Sequence, residues 1–451
     1  MLTITVVAVV LALLGSLSHT SPHDAQFAAG PPLARDTTTA SSRPAHSQEP
    51  TPPPLDPGGA PPPATAAAIR LRASLSQAMR AAGPQSGALV YDLGTHTELF
   101  GLRARVHRPP ASVEKIWTTT ALMRRLGPEA RLHTSVLGTG SLHHGVWHGD
   151  LYLRGGGDPT FGDPTFNHVW DQGYGPTAAE LAGQLARRGI HRVSGWVYGD
   201  ESMFDRRRGG LITKYAVDVP DFGGQISALT YDHGTTIAHY SPATFAAREL
   251  VATMGSVGIR SRASRHERGT PKPAHLLATV SSPPMLVMTR LMDVPSDDLF
   301  AEMFTKQLGV LFGHGGTISS GARVIAKTIA VTYGLHPRIL DGSGLSRDDR
   351  TSPLEIVDLL RELWGTTVGR ELVDSLPIVG RTGTVQTIGL KTAAVGRCVA
   401  KTGTLDGVTN LAGYCHSRGH HAIAFGLFID GPPNWTALVL DSRMIGAIAR
   451  Y

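Results

Sequence analysis

The sequence predicts an α+β fold in which one antiparallel sheet is covered by helices and a second, small α+β domain is inserted into it. Three observations predict it. The first folded segment reads as a helix followed by two strands, the last reads as strands followed by a helix, and the long middle is rich in glycine and short strand-like runs. Two ends that each carry a helix and strands meet most simply in a single sheet, which leaves the middle as an insertion.

The chain has 451 residues, 41% hydrophobic and 17% charged, enough to bury a large core in more than one domain. Its formal charge of +6 suits an anionic surrounding such as a cell wall or membrane surface. Lys and Arg read as scattered rather than gathered into a stripe, which argues against nucleic acid as a partner.

Residues 1–20 carry an apolar run from Leu2 to about Leu14, of signal-peptide length and short for a bilayer span. The expectation is an export signal or an N-terminal anchor, the only membrane attachment the sequence offers. Residues 21–66 are rich in Pro, Ala, Ser and Thr and read as a disordered spacer, since they hold too few large apolar side chains to offset ordering entropy. From Ile69 to Ala82, Leu71, Leu75, Ala78, Met79 and Ala82 share one helical face, which ends near Gly83-Pro84. "SGALVYDLGTHTELFGLRA" then reads as two strands around a glycine-containing turn.

The next segment, "PPASVEKIWTTTALMRRLG", is a helix expected to start at Ser112. Between 140 and 281, "GDLYLRGGGDPTF" and "RVSGWVYGDESMF" read as strands and "AAELAGQLARRG" as a helix; this is the inserted domain, and 67–139 with 282–451 form the main one. "DVPSDDLFAEMFTKQLG" opens a helix with Leu299, Met303 and Phe304 inward, and "NWTALVLDSRMIGAIARY" is a terminal helix. Between them, "GRCVAKTGTLDGVTNLAGYC" reads as a hairpin turning near Asp406 and Gly407. That places Cys398 opposite Cys415, compatible with a cross-strand disulfide or with two buried thiols.

Chemistry is suggested first by Ser112 and Lys115. Three residues apart on a helix they share a face, and a lysine in a desolvated pocket can take the proton that makes serine a nucleophile. The pattern alone is weak and reads more readily as a solvated lysine on a helix. Two further elements change that: Ser296-Asp297-Asp298 before a helix, and Lys401-Thr402-Gly403-Thr404 on a strand. In this order the three elements resemble the Ser-x-x-Lys, Ser-Asp-Asn and Lys-Thr-Gly set of penicillin-binding proteins and serine β-lactamases.

With "LYLRGGGDPTF", "LDGSGLSRDDRTSP" and "LPIVGRTGTV", the chain from about Ala67 to Tyr451 resembles the D-alanyl-D-alanine carboxypeptidases of peptidase family S13, the class C low-molecular-mass penicillin-binding proteins. The resemblance implies a β-lactamase/transpeptidase-like domain with inserted domains between the first two motifs. The interval here is short enough to imply that one of the usual insertions is missing. It further implies an exported, cell-envelope enzyme that hydrolyses, and in part cleaves cross-links of, peptidoglycan stem peptides, is acylated by β-lactam antibiotics, and needs no metal or organic cofactor.

By the same resemblance Ser112 is the acylated nucleophile, Lys115 its base, and Ser296 the relay of a proton to the leaving D-alanine. Lys401 supplies positive potential, Thr402 and Thr404 hold the substrate carboxylate, and Gly403 lets the substrate backbone lie close. The sequence departs from the family at Asp298, where the pattern has Asn. An ionised Asp accepts hydrogen bonds but donates none, and beside Lys115 it favours the ammonium. A catalytically weak relative that binds peptidoglycan is therefore an alternative. A serine β-lactamase is another, although no E-x-x-L-N motif lies between the second and third elements.

Other candidates are set aside. His143, His144 and His148 read as flanking a hairpin turn, "RGGGDPT" lacks the ending and helix of a phosphate loop, and Ser343 reads as loop structure near the cleft. "RTGT" at Arg381 to Thr384 mimics the lysine motif, but Lys401 precedes the last strand and helix as the fold requires.

Overall fold

A computed structural model describes residues 65–210, 212–214, 216, 223–237 and 239–451. The segment read as a signal or anchor and nearly all of the spacer lie outside the described residues. Thr65 caps the first helix, accepting the N–H of Ala68. The main domain begins with α1 (Ala66–Ala81), β1 (Gly87–Asp92) and β2 (Thr97–Leu102), and a 3₁₀ turn (Ala111–Glu114) runs into α2 (Lys115–Arg125). The middle holds β3 (His133–His143), β4 (Val146–Arg154), α3 (Pro164–Trp170), α4 (Ala178–Arg187), β5 (Arg192–Val193), β6 (Val197–Asp200), α5 (Pro242–Ser256) and β7 (His275–Ser281). Then come α6 (Met285–Asp293), α7 (Asp298–Phe312), α8 (Ile318–Tyr333), α9 (Pro353–Leu363), α10 (Thr367–Ser375), β8 (Cys398–Leu405), β9 (Val408–His416), β10 (Ala422–Asp430) and α11 (Asn434–Arg450).

The two ends of the chain do meet in one sheet. Its order is β2-β1-β10-β9-β8, and the contact between β1 and β10 is antiparallel. Because helices cover both faces, the strands are apolar on both sides. On β10, Ile423, Phe425, Leu427 and Ile429 pack with α1 and α11, while Ala424 and Phe428 point to the opposite core with α2 and α6 through α10. In the β8–β9 hairpin Cys398 pairs in register with Cys415, and a disulfide joins them.

The second sheet has the order β5-β4-β3-β7, with β6 also on β4, and one of its faces packs on α4 and α5 around Leu151, Val197, Leu181 and Leu250. Its first strand starts at His133, so the sequence boundary at 139/140 falls inside β3. The glycines there serve close packing. A Cβ on Gly138 would lie 2.5 Å from the Trp147 ring, and one on Gly140 would lie 2.0 Å from the His148 carbonyl.

Candidate active site

Ser112 is expected at an α-helix start, but it lies in the 3₁₀ turn, with Lys115 as the first α-helical residue. Side chains three apart eclipse one another in that geometry, which brings the lysine directly against the serine. Lys115 Nζ donates to Ser112 Oγ at 3.1 Å. It also donates to the Ser343 carbonyl at 2.8 Å and makes a very short contact with Asp298 Oδ1. The lysine is fully buried and the Asp298 side chain is 14% exposed. An ammonium has three N–H donors, and three acceptors surround this one.

The approach to Ser112 is held from the sheet. Asn410 on β9 donates through Nδ2 to the carbonyls of Pro109 (2.9 Å) and Pro110 (2.8 Å), which fixes the chain as Ala111 turns into the left-handed region at φ 48°. Opposite Asn410 is Gly403, whose missing side chain makes room for this turn. A Cβ there would lie 2.4 Å from the Pro110 carbonyl and 3.0 Å from the Val113 nitrogen. Gly403 therefore allows strand and turn to touch.

Ser296 stands in the tight connection between α6 and α7 at φ 69°, a strained conformation for a side-chain-bearing residue and one that recurs at functional sites. The next residue, Asp297, caps α7 by accepting the Phe300 N–H at 2.9 Å. Lys401 Nζ is 2.7 Å from Ser296 Oγ and 3.1 Å from the Thr402 carbonyl. Burial, and then the charge of Lys115, push the Lys401 amine down to about 7. Thr402 donates through Oγ1 to Thr384 Oγ1 at 2.7 Å, and Thr404 is exposed at the end of the strand.

Burial works in the opposite direction on the carboxyls. It raises Asp298 above the ordinary range against the pull of Lys115, and raises Asp293 to about 6 although Lys401 lies near and Thr119 and Ser375 each donate to it at 2.8 Å. Behind Lys115, Glu302 accepts the N–H groups of Gly342 and Ser343 and is pushed up to about 8 by burial and by Asp341. These two bonds set the loop whose Ser343 carbonyl receives the lysine.

The fold thus assembles Ser112, Lys115 and Asp298 in one group and Ser296, Lys401 and Thr402 in another, with Gly403 between strand and turn. Sequence reasoning missed Asn410, Asp293, Glu302 and Thr384. Thr384 belongs to the "RTGT" segment set aside as a mimic, and only its contact with Thr402 draws it into the site. Ser343 takes part through its carbonyl, as loop structure beside the cleft. His143 and His148 flank the β3–β4 turn, their rings 6.0 Å apart.

A sheet layered between helices, a serine and lysine at the start of a buried helix, and a Lys-Thr-Gly edge strand facing them define the β-lactamase/transpeptidase-like class. The chain belongs to the D-Ala-D-Ala carboxypeptidase 3 (S13) family, whose sequence profile matches residues 67–242 and 221–446. It is 31% identical over 395 residues to carboxypeptidase DacB of Mycolicibacterium smegmatis, covering 81% of this chain and 82% of that one. It is 25% identical over 457 residues to a D-alanyl-D-alanine carboxypeptidase of an Actinomadura species, covering 82% of each. The fold matches the crystal structure of penicillin binding protein 4 from Haemophilus influenzae with a TM-score of 0.71 at 18% identity, over 84% of this chain and 99% of that one.

Proposed function

We propose that Ser112 is the acylated nucleophile of a serine-type D-Ala-D-Ala carboxypeptidase acting on peptidoglycan stem peptides. Ser112 Oγ attacks the carbonyl of the penultimate D-alanine, its proton passes to Lys115, and the oxyanion lies between the backbone N–H groups of Ser112 and Thr404. Ser296, bonded to Lys401, hands a proton to the leaving D-alanine as the C–N bond breaks. Water then hydrolyses the ester on Ser112. The terminal carboxylate of the peptide is held by the Thr402 and Thr404 hydroxyls beside Lys401. Gly403, by letting the strand touch the turn that carries Ser112, brings the peptide held along the strand up to the nucleophile.

Asp298 modifies the first step. Lys115 acts as a base only as the neutral amine, and an Asp298 carboxylate in contact with Nζ favours the ammonium, which slows the attack. β-Lactams acylate Ser112 by the same attack. An enzyme with this substrate works in the cell envelope, on the wall side, which the export signal read at residues 1–20 would serve.

The observation that carries this reading is Ser112 Oγ at 3.1 Å from a fully buried lysine amine. Intact-mass analysis after incubation with penicillin tests it. One penicilloyl adduct is expected, absent from Ser112→Ala, with D-alanine released from a stem-peptide analogue by the unmodified protein alone. An adduct that persists in Ser112→Ala would place the nucleophile elsewhere.

A further inference from the structure

The second sheet has one face under α4 and α5, and its other face carries aromatic rings at the β4–β6 edge, with Tyr152 buried and Trp196 exposed. There Tyr152 and Tyr198 are paired in register with rings stacked 5.5 Å apart, and Trp196, two residues before Tyr198, is 40% exposed. The chain from Arg260 to Arg268 runs along this edge as an added strand. Its backbone is fixed by Val193 N–H to the Arg260 carbonyl (2.9 Å), Val197 N–H to the Arg262 carbonyl (2.9 Å), Ser264 N–H to the Val197 carbonyl (2.8 Å) and Arg268 N–H to the Gly199 carbonyl (3.0 Å).

The basic residues that read as scattered gather here. The Arg262 guanidinium lies over the Trp196 ring at 4.1 Å and that of Arg268 over Tyr198 at 5.5 Å. Arg260, Arg262, Arg265 and Arg268 are all exposed. Arg268 has a distant ion pair with Asp150 at 3.9 Å, whereas Arg260, Arg262 and Arg265 have no carboxylate partner among the described residues. The one acid within the segment, Glu267, is engaged by Arg206 at 3.1 Å. Trp196, Tyr198 and residues 263–268 enclose a groove of 540 Å³.

We propose that this groove binds polymeric peptidoglycan through the free carboxylates of neighbouring stem peptides, which the arginine forks take while the Trp196 and Tyr198 rings hold the guanidinium planes of Arg262 and Arg268 in place. The chemistry recommends it. A guanidinium stacked on an aromatic ring keeps its N–H fork free, Arg pairs with carboxylate in bidentate fashion, and a backbone already bonded to the sheet loses little freedom on binding. Glycan strands present such carboxylates repeatedly, so several weak contacts on one polymer would keep the enzyme where its substrates are dense. This inference rests on the carboxypeptidase reading for its choice of polymer, and none of its residues belongs to the catalytic groups.

The test is co-sedimentation of the full-length protein with insoluble peptidoglycan stripped of covalently attached accessory polymers, beside unstripped walls. The variants are the triple charge reversal R260E/R262E/R265E and the milder Arg262→Gln. The expected result is that binding to stripped peptidoglycan falls at least about tenfold in the triple variant and several-fold in Arg262→Gln, and weakens for the unmodified protein with added salt. D-Alanine release from a small soluble peptide and penicillin acylation should stay within about twofold in both variants, which separates this inference from the catalytic one. Unchanged sedimentation of Arg262→Gln, with salt-insensitive binding by the unmodified protein, would overturn the proposal. So would binding seen only with unstripped walls, which would assign the face to an accessory polymer.

Discussion

Replacing Asp298 with Asn should make the protein a faster acceptor of penicillin. The change keeps an oxygen for Lys115 Nζ, since the amide carbonyl can stand where Oδ1 stands, but removes the negative charge that favours the ammonium. A hydrogen bond to a charged group contributes about 1.5–3 kcal/mol and an ordinary one about 0.5–1.5 kcal/mol, so losing the carboxylate's charge releases the amine by about 1–1.5 kcal/mol. The amide also restores an N–H donor for a substrate carbonyl, about another 1 kcal/mol. Together, about 2–2.5 kcal/mol corresponds to roughly a 30- to 70-fold rise in the second-order acylation rate constant. The assay is stopped-flow acylation by a fluorescent penicillin at neutral pH, with intact mass confirming one adduct on Ser112. A rate for Asp298→Asn within twofold of the unmodified protein, or below it, would refute the reasoning that the carboxylate restrains Lys115.

Gly403→Ala should lower acylation at least about 100-fold and destabilise the fold by about 1–3 kcal/mol, because the new methyl group meets the Pro110 carbonyl at 2.4 Å; acylation kinetics and denaturant unfolding check this. Asn410→Ala leaves the carbonyls of Pro109 and Pro110 without their donor and should cost about 1–3 kcal/mol in urea unfolding, with slower acylation. Glu302→Gln should flatten the decline of Tm with pH. The Glu302 carboxyl is raised from an ordinary 4.5 to about 8, so the folded state holds a proton that the unfolded chain has lost; its stabilising effect is complete below pH 4.5 and is lost as pH rises towards 8. The amide oxygen of Gln can still accept the Gly342 and Ser343 N–H groups, so Tm above pH 8 should exceed that of the unmodified protein. A parallel pH dependence of the two Tm curves would count against this.

Local chemistry made much of this protein readable from its sequence. The apolar periodicity of Leu71, Leu75 and Met79, the hairpin turning at Asp406 and Gly407 and the continuous apolar run of β10 are properties of short segments, and those segments form the expected elements. The three motif elements were legible because each is contiguous, and their order alone points to one kind of site. The helix start at Ser112 was off by one turn type, since sequence spacing does not distinguish a 3₁₀ turn from α-helix, and the second sheet starts at His133, ahead of the boundary placed where the glycine-rich stretch begins.

What the tertiary structure decided is whatever depends on distant segments arriving at one point. Asn410 supports a turn 300 residues away, Lys115 meets Asp298 across 183 residues, and Thr384 enters the site only through its contact with Thr402. Nothing in the local pattern of an asparagine on a strand or a threonine in a loop marks such a role. The perturbed groups are of the same kind. Lys401 near 7, Asp293 near 6 and Glu302 near 8 have the side chains of ordinary surface residues in the sequence, and it is the removal of water by packing that sets their protonation and hence the chemistry.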